Sequence, residues 1–88
     1  MYALDIRPEL DRAFAKLSKR NPKQLGIILR KAGEIVKNPH HYKNLRSPLS
    51  HLKRVHIDAS FVLTFSVNEN TKTVILEDYA HHDDIYQV

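Results

Sequence analysis

Apolar residues in this chain alternate with polar ones at the start, recur every three to four positions through the next third, and alternate again from Leu52. Tyr2 to Ile6 (Tyr-Ala-Leu-Asp-Ile) follows the period of two and predicts a short strand. Pro8 opens a helix at its first position, where a missing N–H costs no hydrogen bond. Leu10, Phe14 and Leu17 form the apolar stripe of that helix, and Arg12, Lys16 and Lys19 face water. A second helix starts with Asn21 as cap, Pro22 at its first position and Gln24 placed to reach back as in a capping box. Its apolar positions are Leu25, Ile28, Leu29, Ala32, Ile35 and Val36, and Asn38-Pro39 ends it.

From His40 to Leu49 periodicity is lost among Pro39, Asn44, Ser47 and Pro48, which reads as a loop. Three strands follow. Leu52 to Ile57 places Lys53, Val55 and Ile57 on one face and Leu52, Arg54 and His56 on the other. After a turn at Asp58-Ala59, Phe61, Leu63, Phe65 and Val67 point inward while Ser60, Val62, Thr64 and Ser66 point outward. Asn68-Glu69-Asn70 turns the chain again, and the last strand covers about Thr73 to Tyr79, with Val74 and Leu76 on the core side. The expected fold is α+β: an N-terminal strand, a helical hairpin, and a three-stranded antiparallel meander in a sheet with helices on one face. The other face is expected to stay partly open, carrying Arg54, His56, Val62 and Thr64.

Eighty-eight residues suit one domain spanning 1–88. With no cysteine, disulfides and thiol chemistry are excluded. No apolar run approaches the roughly 18–20 residues of a membrane span and no signal-peptide core is visible, so the expected location is cytoplasmic. The net charge of +4 hides an asymmetry. Through His56 there are 13 Lys/Arg against 4 Asp/Glu, and from Ile57 onward 1 against 6. The basic part suits a polyanion, nucleic acid above all, and its excess continues past the helices at Lys43, Arg46, Lys53 and Arg54. An orphan RNA-binding domain fits less well, because Phe14, Phe61 and Phe65 fall on core faces and leave no stacking platform.

The chemistry-bearing residues are Arg54 and His56 on one strand face and His81-His82-Asp83-Asp84-Ile85-Tyr86 at the chain end. Imidazoles move protons near neutral pH, and guanidinium groups bind phosphate bidentately, so such a set can bind a phosphate and move protons without a metal. His56 reads equally as an exposed strand residue, His81-His82 as a turn or helix start, and Tyr86 as a ring over the sheet edge. Asp83 and Asp84 suit the first turn of a helix. The six histidines predict no metal site: His40-His41 and His81-His82 are adjacent pairs whose side chains should diverge, and no ligand-spaced companion accompanies them.

The order of elements is similar to that of the RelE/ParE toxin superfamily, across essentially the whole chain. The resemblance rests on Tyr42-Lys43-Asn44-Leu45 leading to Ser47-Pro48-Leu49, on Leu52-Lys53-Arg54-Val55-His56-Ile57, on Phe61-Val62-Leu63-Thr64-Phe65-Ser66-Val67 and on the His81-to-Tyr86 ending. It implies the toxin of a toxin–antitoxin module, bound by a cognate antitoxin. The RelE-like branch implies a ribosome-dependent endoribonuclease, an mRNA interferase that cuts mRNA in the A site, blocks translation and leaves a 2′,3′-cyclic phosphate. The ParE-like branch implies a toxin that inhibits DNA gyrase instead. The implied catalytic residues are Arg54, His56, His81, His82 and Tyr86, with Arg46, Lys53 and Lys43 on the RNA phosphates and no cofactor. One departure stands out: Val62 occupies a position where many RelE-like toxins carry arginine. Arg46, Lys53 or Arg54 then takes over its role, or activity is weak.

Overall fold

A computed structural model describes residues 1–85; Tyr86 lies outside the described residues. Strand β1 (Ala3–Ile6) is followed by helices α1 (Pro8–Arg20) and α2 (Pro22–Lys37) and a 3-10 turn at Pro39–His41. Strands β2 (Lys53–Ile57), β3 (Phe61–Asn68) and β4 (Thr73–His81) and a four-residue helix α3 (His82–Ile85) complete the described chain. The sheet order is β1-β4-β3-β2. Both β2–β3 and β3–β4 are antiparallel, while β1 pairs with β4 in parallel, so the sheet is mixed.

Asn21 joins the two helices alone. Its backbone N–H donates to the Leu17 carbonyl and closes α1, and its side-chain oxygen accepts from the Gln24 N–H to open α2. The Gln24 side chain does not reach back as a capping box would. It is buried and donates to the Tyr79 hydroxyl at 2.8 Å, tying α2 to the sheet. Leu10 and Phe14 from α1 and Ile28, Ala32 and Ile35 from α2 pack on Val55, Ile57, Leu63, Phe65, Val74 and Leu76. The strand alternation therefore selects the core face as expected. Leu29 departs from its expected place: it lies 51% exposed, on the water side of α2.

The face away from the helices is not the open surface the alternation suggests. Val62 and Thr64 are 0% and 1% exposed, although they point away from the main core. The segment before β2 supplies the missing apolar partners: Leu45, Leu49 and Leu52 line the same groove as Thr64. Strand alternation already puts Leu52 on this side, but Leu45 and Leu49 sit in a stretch with no periodic signal, so their cover of the sheet is a tertiary event.

Candidate functional site

The free edge of β2 is sealed by the chain just before it. Asn44 bridges to Lys53, the Leu45 N–H donates to Leu52, and the Arg54 N–H donates to the Lys43 carbonyl at 3.2 Å. The Lys53 ammonium reinforces this seam through the Tyr42 carbonyl at 3.1 Å and the Asn44 side chain at 2.9 Å. Such pairing covers an edge that would otherwise expose unpaired backbone groups. It also brings His41, Tyr42 and Lys43 beside Arg54, Val55 and His56, around a groove of about 260 Å³. The Tyr42 ring is anchored edge-on against Phe65 at 5.7 Å, and the His41 ring rests on Tyr42 at 5.2 Å. Burial and the Glu34 carboxylate push the Tyr42 hydroxyl above its ordinary pKa, so it stays a neutral donor at physiological pH. Two imidazoles and two cations thus face one groove, a set suited to holding a phosphate and moving protons.

The histidines at the end of β4 sit elsewhere. Thr64 pairs with Asp78 and Phe65 with Leu76, which leaves Glu77 as an extra residue in β4. A bulge of this kind reverses the alternation beyond it. Tyr79 and His81 therefore turn to the helix side, opposite Leu63 and Phe61. Tyr79 stacks on Phe61 at 5.2 Å, and His81 meets the Phe61 ring edge-on at 5.8 Å. Next to it, the His82 N–H donates to the Ser60 carbonyl at 2.9 Å as β4 gives way to α3. The expected gathering of Arg54, His56, His81 and His82 on one uncovered face is thus corrected: the bulge sends His81 to the other side.

Arg54 and Thr64 are register partners, as are Thr64 and Asp78, so the row that starts with a cation ends with a carboxylate. A second groove of about 510 Å³ on this side gathers Arg7, His51, Glu77, Asp78 and Asp84. Burial alone would raise the Glu77 pKa. Hydrogen bonds from Arg7 at 2.8 Å and Ser66 at 2.6 Å, with the charges of Arg7 and His51, outweigh it and hold the carboxylate below its ordinary range. The β4 half of this face carries the carboxylates of Glu77, Asp78 and Asp84, with Arg7 paired to Glu77.

Of the predicted residues, Lys43, Arg54 and His56 meet in the β2 groove. Lys53 spends its charge on the loop, and Arg46 is exposed within that loop. Buried Val62 presents no group to a ligand. Sequence reasoning missed His41, which it treated only as half of a metal-poor pair. No signal in the period could have placed it, because a loop folded along β2 brings it in.

No family model matches the chain. It is 61% identical over 87 residues to the Methanocaldococcus jannaschii protein named "Putative toxin RelE4", covering 99% of this chain and 93% of that one. The chain belongs to the RelE toxin family. A Methanosarcina mazei protein is similar to this RelE-family chain at 64% identity over 86 residues, 98% of this chain and 100% of that one. The fold is similar to the solved toxin–antitoxin complex RelBE2 of Mycobacterium tuberculosis, with TM-score 0.77 and 20% identity over 92% of this chain and 98% of that one.

Proposed function

We propose that this RelE-family toxin is an endoribonuclease that cuts messenger RNA on the ribosome without a metal in the chemical step. The observation that carries the reading is the convergence of Arg54, His56, His41 and Lys43 on one groove. Cleavage next to a 2′-hydroxyl needs a base for that hydroxyl, cations for the charge building on the phosphate, and an acid for the leaving 5′-oxygen. His56 and His41 take the proton-transfer roles, and Arg54 holds the phosphate with Lys43 as a second positive charge. The groove supplies these groups by itself, so His81 and His82 are given no step. The basic helical layer gives the ribosome-bound RNA its sequence-independent attraction. The partner that restrains the toxin is an antitoxin whose acidic segment matches the surplus of positive charge before residue 57.

Toeprinting on translating ribosomes tests this. The wild-type chain should produce cuts within codons in the A site, and the Arg54→Ala/His56→Ala double variant should lose them by at least about 10²-fold while remaining folded. Undiminished cutting by the double variant removes the groove as the active site. Gyrase inhibition in a supercoiling assay, with no cutting by the wild type, supports the ParE-like reading instead.

A further inference from the structure

We infer that His81, His82 and Asp83 form a binding site for one divalent transition-metal ion of the zinc, copper or nickel class. One ligand atom from each of the three lies within 4.8 Å of the others. His82 Nε2 is 3.0 Å from one Asp83 carboxylate oxygen, and His81 Nδ1 is 3.6 Å from the other. The two rings are 4.8 Å apart and tilted by only 32°. Adjacent histidines are expected to diverge on a strand or on a helix. These converge because the pair straddles the junction, with His81 ending β4 and His82 beginning α3. The other adjacent pair shows the ordinary outcome: His40 turns to Glu69, and His41 lies on Tyr42.

A second observation points to a ligand. His82 Nδ1 faces the Ser60 carbonyl at 3.4 Å. With the ring proton on Nδ1, Nε2 keeps its lone pair on the Asp83 side, the arrangement by which a backbone carbonyl orients a metal-binding imidazole. The Asp83 N–H donates to His81 Nδ1 at 3.2 Å, which fixes this nitrogen as the unprotonated one; an ion bound there replaces that long hydrogen bond. Ligands around a tetrahedral zinc stand about 3.3 Å apart, given zinc–nitrogen bonds of roughly 2.0–2.1 Å. Half-exposed side chains close that gap by small rotations. Two imidazoles and one carboxylate favour borderline metals over magnesium or calcium, which prefer all-oxygen shells. Three protein ligands leave at least one coordination position to water. The bound ion ties the end of β4 to α3, and the inference stands independently of RNA cleavage.

Titration calorimetry on the full chain with zinc chloride, then nickel and copper salts, tests the site. One zinc ion per chain should bind, with affinity reduced by about 10–100-fold in both His82→Ala and Asp83→Asn and unchanged in His40→Ala. Circular dichroism establishes that each variant is folded, and exposed Asp83→Asn keeps the test decisive if His82→Ala is not. No saturable binding of any of the three metals overturns the inference, as does full affinity in Asp83→Asn. Loss of binding in His56→Ala, with Asp83→Asn unaffected, places the ion in the β2 groove and overturns it too.

Discussion

The two ends of the β3–β4 hairpin both carry histidine beside carboxylate, and they use it differently. At the Asn68–Thr73 end, Glu69 accepts from the Tyr2 hydroxyl at 2.9 Å and from the Lys72 ammonium at 2.8 Å, and it meets His40 Nε2 as well. One carboxylate thereby joins the β3–β4 turn, the start of β1 and the 3-10 turn after α2. Hydrogen bonds from Lys72 and Tyr2 hold its pKa at about 2, and the same contact raises the Tyr2 and Lys72 values. At the Phe61–His81 end, His81 and His82 lean on a carboxylate that carries no cation among the described residues, and their rings stay part-exposed. The first cluster is a closed latch. The second gathers two part-exposed imidazoles and one exposed carboxylate at the strand–helix junction. A histidine's neighbours, more than its number in the sequence, decide whether it is structural or available.

The comparison can be broken at several strengths. The largest effect belongs to the groove next to the second end: His56→Ala should lower messenger cleavage by about 10²–10⁴-fold, whereas His40→Ala should leave it unchanged. Equal losses in both would erase the distinction. Phe65, fully buried on the strand that joins the ends, should lose about 3–5 kcal/mol as Phe65→Ala, and chemical denaturation reads this directly. Tyr79→Phe strands the buried Gln24 amide and should cost about 1–3 kcal/mol in the same assay. The smallest effect is at the latch. Because the folded Glu69 pKa lies below the ordinary 4.5, its stabilisation is complete above that value and fades as pH falls toward about 2. Thermal midpoints of wild type and Glu69→Gln should therefore differ by a few degrees at most near neutrality and converge in acid. A gap that widens on acidification would contradict the latch.

Much of this was legible in advance. Leu10, Phe14, Ile28, Ala32 and Ile35 declared the packed helix faces, and Val55, Leu63, Phe65, Val74 and Leu76 the matching strand face. Arg54 and His56 shared a side by simple alternation and do share a groove. His41 was not readable as their neighbour, because only the seam from Lys43 to Arg54 brings it there. His81 and His82 were not readable as converging, because the rule that neighbouring side chains diverge holds within a strand or within a helix and lapses where one becomes the other.

What the residues determined alone is the order of elements and the side of each that is buried, because periods of 2 and 3.6 are local properties of the backbone. Tertiary structure decided the rest. An extra residue at Glu77 reversed the facing of Tyr79 and His81, and two loop leucines, Leu45 and Leu49, lined the groove over Thr64. Both depend on how distant segments pair and pack. A side chain's final environment is set by neighbours remote in the chain, which local periodicity cannot encode.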